Sequence, residues 1–473
     1  MGKPTGFLEY TRIKEPYREI KERLKDYREV INKLPPEVLR TQAARCMDCG
    51  IPYCHALGCP VSNLIPEWND AVYRGHWKEA FERLEYTNNL PEITGRICPA
   101  LCEAACTLSI NDSPVTIRQL ELAIIEKAFQ EGWVEPKPPR HSTGKSAAVI
   151  GSGPAGLSAA QLLRRAGHRV TIFEKSDRLG GLLRYGIPDF KLEKWVLDRR
   201  LAQLEAEGVE FETNVIAGED ISAGYLKRKF DVILIASGAG KPRELPAQGT
   251  GFEGIHFALD YLTQSNKFVA GDLKEYEIIS ARDKNVLVLG GGDTGADCIG
   301  TANRQGAKKV FQYEILPKPR EWEEPYNPDW PEWPRILRTS SSHVEGCHRE
   351  WGIETVRFTG RGIQLEEAHF RRVKWNFTPG KAPRMEGIPG SEFSLKVDLV
   401  LLALGFLHTE HTSLLKNLGL AFDEQGNIKT NSRYATSVSG VFAAGDANTG
   451  ASLVVRAMYH GKNAAEAIND YLL

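Results

Sequence analysis

A chain of 473 residues is too long for one compact core and points to two or three domains; 42% hydrophobic with 26% charged residues is an ordinary globular balance. Lys and Arg, 60 together, nearly match the 61 Asp and Glu, so no strong field selects nucleic acid or an acidic membrane. The start is densely charged from Tyr17 to Arg23, and the longest apolar runs, such as Asp398 to Gly405, have strand length, so the chain is expected to be cytoplasmic with no membrane span.

Residues from about 10 to 130 read as helix and loop, with apolar residues at helical spacing over 67–85 and 116–129. Seven of the nine cysteines fall in this region. They form two groups, Cys46-x2-Cys49-x4-Cys54-x4-Cys59 and Cys98-x3-Cys102-x3-Cys106. In a reducing compartment such crowding favours metal or redox chemistry over disulfides. Thiolates are soft ligands that suit iron–sulfur clusters and zinc alike. Zinc would account for folding; clusters would supply one-electron carriers.

A Pro-rich connector runs from Glu135 to Lys145, and beyond it strands and helices alternate. Ser146 to Ile150 reads as a buried strand leading into Gly151-Ser152-Gly153-Pro154-Ala155-Gly156, a helix, and a second strand, Arg169 to Phe173, ending at Glu174. This is the dinucleotide fingerprint. Gly151 permits the turn, Gly153 admits a pyrophosphate to the backbone, Gly156 lets helix and strand approach, and Glu174 can hold ribose hydroxyls. The helix N-terminus favours the anion.

The pattern recurs at Asn285 to Leu289, Gly290-Gly291-Gly292-Asp293-Thr294-Gly295, and Lys309 to Glu314. Glu314 stands where a carboxylate binds the adenosine 2′-hydroxyl of NADH and repels a 2′-phosphate, whereas Lys318 and Arg320 could bind that phosphate; the reading leans to NADH. From Leu316 to Trp333 the chain is rich in Pro, Trp and Glu, an irregular excursion whose role composition does not reveal.

The ordered set resembles two-dinucleotide flavoprotein reductases, in which the FAD half comes first, the pyridine-nucleotide half is inserted into it, and a C-terminal piece completes it. Here Val441 to Asp446, with Gly445 and Asp446, resembles that completing piece, and the runs starting at Asp231 and Asp398 resemble the paired crossover strands. The expected fold is α/β, with two Rossmann-like domains, the NAD(P)H domain inserted in the FAD domain, plus an N-terminal α-helical domain. The expected divisions are 1–140, 141–280, 281–410 and 411–473.

Finally, Arg45 to Cys54, Gly95 to Pro99, Leu101 to Cys106, Pro114 to Glu121 and Gly180 to Pro188 resemble the small (beta) subunits of glutamate synthase. They are also similar to the N-terminal half of dihydropyrimidine dehydrogenase. The resemblance implies two 4Fe-4S clusters, one held by Cys46, Cys49, Cys54 and the remote Cys106, the other by Cys59, Cys98, Cys102 and a non-cysteine ligand at Glu121. It implies FAD at Gly151, Gly153, Gly156, Glu174, Gly181, Gly445 and Asp446, and NAD(P)H at Gly290, Gly292, Gly295 and Glu314. It implies electron delivery to the FMN of a large (alpha) subunit that makes glutamate from 2-oxoglutarate and glutamine. The alternative is a stand-alone or differently partnered reductase of the same architecture, serving a ferredoxin- or polysulfide-type acceptor.

Overall fold

In this computed structural model, which describes residues 2–378 and 380–473, two buried apolar runs found in the sequence seed two parallel sheets. The first sheet contains β1 (Ser146–Ile150), β2 (Arg169–Phe173), β3 (Val209–Glu212) and β4 (Val232–Ile235). The second contains β5 (Ile255–Phe257), β6 (Asn285–Leu289), β7 (Lys309–Glu314) and β8 (His348–Trp351). Between these and the C-terminus lie β9 (Ile353–Arg361), β10 (Gln364–Asn376), β11 (Arg384–Gly387), β12 (Phe393–Lys396), β13 (Leu399–Leu402) and β14 (Val441–Ala443).

Strand order is β14-β4-β1-β2-β3 in the first sheet and β5-β13-β6-β7-β8 in the second. All pairs within both are parallel. Parallel strands need helical crossovers on both faces, which is why β1 and β6 are buried almost end to end. The second sheet begins and ends within the first one's chain: β14 returns to pair with β4 after β13 has paired with β6. By strand pairing, β5 and the helix Ala258–Val269 lie with the second sheet, ahead of the boundary expected at 281.

Two features differ from the sequence reading. The stretch 67–85 is two helices, Ile65–Arg74 and Trp77–Thr87, because Gly75 takes a left-handed φ of +83° and ends the first one. An antiparallel group, β9 to β12, sits between β8 and β13. Its alternation of apolar and polar residues covers one face of the second sheet through Phe370 and Phe393, which stack at 5.1 Å beside Tyr313 of β7.

The cysteine-bearing helices pack on the first sheet through the buried Glu92, whose two carboxylate oxygens each accept a 2.7 Å bond from the Arg200 guanidinium. Arg200 lies in the helix Lys194–Ala206 and is 3% exposed. Removing one member of a buried, bidentate pair strands the other charge, so Glu92→Ala is expected to cost about 3–5 kcal/mol, read as a lower urea midpoint. An unchanged midpoint would show that the joint does not depend on this pair.

Candidate functional site

Both glycine loops are built by the same local devices. Gly151 and Gly290 take left-handed φ values of +104° and +119°, and a Cβ on either would strike the carbonyl of Ala236 or Ala403, the residue following β4 or β13. Gly156 and Gly295 sit so close to the carbonyls of Gly151 and Gly290 that a side chain would part helix from loop. By contrast, a Cβ on Gly153 or Gly292 would meet nothing within 4 Å, which is the open side a pyrophosphate needs. The helices Pro154–Arg165 and Asp293–Arg304 start there. Each crossover strand is anchored by the aspartate before it: Asp231 accepts from Ser146 N at 2.8 Å, and Asp398 from Asn285 N at 2.8 Å.

The strand-end acids differ in setting. Glu174 is buried and accepts from the Ser152 amide at 3.1 Å, the Ser152 hydroxyl and the Ser176 amide at 2.9 Å. Glu314 is more open and accepts from the Gly291 amide at 2.6 Å and the Leu316 amide at 3.0 Å.

A cleft of about 400 Å³ is lined by the first loop, Glu174, Gly181 and Asp446. Leu259 and Thr263, from the helix Ala258–Val269 of the second sheet, reach the same cleft. It is therefore shared by both units. Asp446 lies at its edge, where burial raises its carboxyl while Ser452 donates a 2.8 Å bond to it. Sequence reasoning missed Tyr185, Leu259 and Thr263 as lining residues, since apolar or neutral side chains carry no chemical signature.

The structure brings the N-terminal cysteines together in two places. Cys46, Cys49, Cys54 and Cys106 line one small cavity. Burial, reinforced by their mutual repulsion, pushes the Cys46 thiol up to about 12 and raises Cys54 and Cys106 as well. In the other set, burial pushes Cys59 up to about 12 and Cys98 up to about 11, and Cys102 rises too; the carboxylate of Glu121 adds to all three. Gly58 makes the interleaving possible: a Cβ there would lie 2.8 Å from Cys102 Cα. That close approach seats Cys59 with Cys102 instead of with its sequence neighbour Cys54.

Buried thiols without a charge partner are costly as thiolates unless a cation takes them. Four thiols, Cys46, Cys49, Cys54 and Cys106, line one cavity. That donor set fits a cluster. Backbone amides of Asn63 and Ala100 already point at Cys59 Sγ and Cys98 Sγ, each at 3.5 Å. Glu121 is 5% exposed, and burial pushes its carboxyl up to about 7. Its Oε1 accepts from Asn88 Nδ2 at 2.9 Å and from the Thr94 hydroxyl.

Residues 145–461 match the family described as pyridine nucleotide-disulphide oxidoreductase, and residues 23–133 match the dihydropyrimidine dehydrogenase domain II, 4Fe-4S cluster. The chain is 51% identical to a glutamate synthase [NADPH] small chain of Mycobacterium tuberculosis, covering 100% of this chain and 96% of that one. The chain belongs to the glutamate synthase small-chain family. Bacillus subtilis has a member 44% identical over 100% of this chain and 99% of its own. A glutamate synthase [NADH] of Schizosaccharomyces pombe is 44% identical over 99% of this chain but only 23% of its own length. Among solved structures, FprA of Mycobacterium tuberculosis in complex with NADPH shares the fold, at 17% identity and TM-score 0.54 over 69% of this chain and 84% of that one. This is an FAD- and NAD(P)H-dependent oxidoreductase with 4Fe-4S clusters, and the zinc alternative falls away.

If the Asp446 carboxylate grips the flavin nucleotide, Asp446→Ala should weaken FAD retention about 10- to 100-fold, the size of one charged hydrogen bond. Flavin absorbance per chain after gel filtration measures this, and full retention would remove Asp446 from the site.

Proposed function

We propose that the chain is the cytosolic reductase subunit of a glutamate synthase, taking electrons from NAD(P)H and delivering them to a large subunit that forms glutamate. The observation that carries this reading is the cleft shared by the two sheets, in a chain whose cysteine-bearing region, with its buried thiols, packs on the first sheet. Bound FAD would accept hydride from NAD(P)H, and bound 4Fe-4S clusters would carry the electrons onward one at a time.

In this reading residues 1–140 form the iron–sulfur domain, with the FAD unit built from the first sheet and residues 411–473, and the second sheet inserted as the NAD(P)H unit. Gly151, Gly153 and Gly156 admit the flavin pyrophosphate, Glu174 holds its ribose, and Gly181, Gly445 and Asp446 close the cleft around it. Gly290, Gly292 and Gly295 do the same for the donor. Cys46, Cys49, Cys54 and Cys106 hold one cluster. Cys59, Cys98, Cys102 and Glu121 hold the other, with Thr94 and Asn88 occupying Oε1 of the glutamate. No side-chain acid or base is required for hydride transfer, so the residues serve to position and to exclude water.

The donor is read as NADH. Glu314 is pinned against the second loop, and the two cations that could answer a 2′-phosphate are engaged elsewhere: Lys318 pairs with Glu321, and Arg320 with Asp329 at 3.0 Å.

Two experiments test these assignments. Mixed with the large subunit, the purified chain should oxidise NAD(P)H in step with glutamate formed from 2-oxoglutarate and glutamine; glutamate made by the chain alone, or oxidation indifferent to the large subunit, would favour a differently partnered reductase. Glu314→Ala should lower the ratio of kcat/KM for NADH over that for NADPH by about tenfold or more, one charged contact's worth. An unchanged ratio would sink the role of Glu314.

A further inference from the structure

The Pro/Trp-rich excursion leaves the nucleotide-binding sheet at Glu314 and returns to it before β8, yet its tip lies on the cysteine region. Asn327 is buried and uses every polar group it has there. Its amide N–H donates to Ser109 O at 2.6 Å, its side-chain Nδ2 donates to Ala104 O and Glu332 O at 2.8 Å each, and its Oδ1 accepts from Asp329 N at 2.9 Å. Three residues on, Trp330 Nε1 donates to Cys106 O at 3.1 Å. The carbonyls of residues 104, 106 and 109 are thus all held by this loop.

Two of these carbonyls, at residues 104 and 109, need outside donors, while Cys106 O accepts from Ser109 N at 2.8 Å and takes Trp330 as its second donor. The helix Leu101–Ala104 and the turn Thr107–Ile110 are too short to satisfy their own ends, and Cys106 sits in the gap between them. Trp330 also packs its ring against Tyr53, centroids 4.9 Å apart, and Tyr53 directly precedes Cys54. One side chain therefore spans two segments whose cysteines line the same cavity although they lie far apart in sequence. The base of the loop is braced separately, by Arg320 on Asp329 and by Leu337 N on Arg320 O at 2.8 Å.

We propose that Asn327 and Trp330 are positioning residues for the first iron–sulfur cluster: they hold the Cys106 backbone in register with Cys54, and they do so from the nucleotide-binding unit. This rests on the reading that Cys46, Cys49, Cys54 and Cys106 hold that cluster. The consequence is that the first cluster depends directly on docking of this loop, through Cys106 and the residue before Cys54, whereas the loop reaches the second only through Ala104, two residues from Cys102.

The test uses the full chain, reconstituted anaerobically, with each cluster's reduced EPR signal assigned by its loss in Cys49→Ser or in Cys98→Ser. Trp330→Phe keeps a ring against Tyr53 but removes the N–H, and is expected to shift the first cluster's midpoint potential while leaving the second unchanged. Asn327→Ala is expected to speed iron release from the first cluster to a ferrous chelator by about tenfold, the scale of one or two lost hydrogen bonds. First-cluster signal, potential and release identical to wild type in both variants would overturn the proposal, as would equal changes at both clusters. Wild-type protein lacking any signal that Cys49→Ser removes would overturn the ligand reading itself, and this inference with it.

Discussion

Electrons can pass between separately folded units only if those units keep fixed distances, and here the joints are made largely of buried ion pairs. Glu92 and Arg200 tie the cysteine helices to the first sheet. Arg23, from the N-terminal arm, meets Glu345 of the second unit at 2.8 Å, and Arg304 bonds the same carboxylate at 2.6 Å. Arg199, in the same helix as Arg200, pairs with Glu126 of the cysteine region. Such pairs are not economical sources of stability, since apolar contacts of equal volume often do as well. What they add is intolerance of error: a joint that slips leaves a charge in a dry interface. The N-terminal arm, which alone would have little core, is thereby made a strap across the second unit, with Val30 N donating to Phe190 O at 3.0 Å in the β2–β3 connection of the first sheet.

The two nucleotide units repeat one design and differ where their duties differ. The glycines, the anchoring aspartates and the carbonyls that crowd the first glycine are equivalent in both. At the first loop the Ser152 hydroxyl donates to Glu174 and accepts from Gly180 N at 2.9 Å, so the acid is roofed by the turn that carries Gly181. At the second loop glycine replaces that serine and no such roof forms; Gly291, Gly292 and Asp293 are exposed. A closed site suits a cofactor that stays, and an open one suits a donor that must leave after each turnover.

The parts legible in the sequence were those governed by local rules. The extents of β1, β6 and β7 followed from short apolar runs bounded by glycine, and the fingerprint residues from the sterics of the turn. The break at Gly75 was missed because both flanking helices share one apolar periodicity, so the pattern ran on across the turn. The antiparallel group β9–β12 was missed because bulges shift the alternation of β10, whose buried residues Leu365, Ala368, Phe370 and Val373 do not keep a period of two. The division of the cysteines was legible only through family resemblance. Spacing alone would group Cys46 to Cys59 together, whereas the Gly58 contact sends Cys59 to the other set. The partners of Glu121 lay further out of reach, since Asn88 and Thr94 meet it across 33 and 27 residues.

Those long-range contacts share a logic with the excursion at Asn327. In the proposed assignment Cys106 lies 52 residues beyond Cys54 and Glu121 lies 19 beyond Cys102, so no local turn fixes the position of either. Something outside the set has to do so. For Glu121 the fixing groups come from the neighbouring helix, and the adjacent Asn89 continues the contact to Ser158 and Gln161 in the helix that opens at Gly153. For Cys106 they come from the second unit. Each of the two is thus held from a different unit: Glu121 from the first sheet's side, Cys106 from the second's. A cysteine region that would be loosely specified by its own short helices gains its geometry from the two sheets, the Cys106 set chiefly from the second and the Glu121 set from the first.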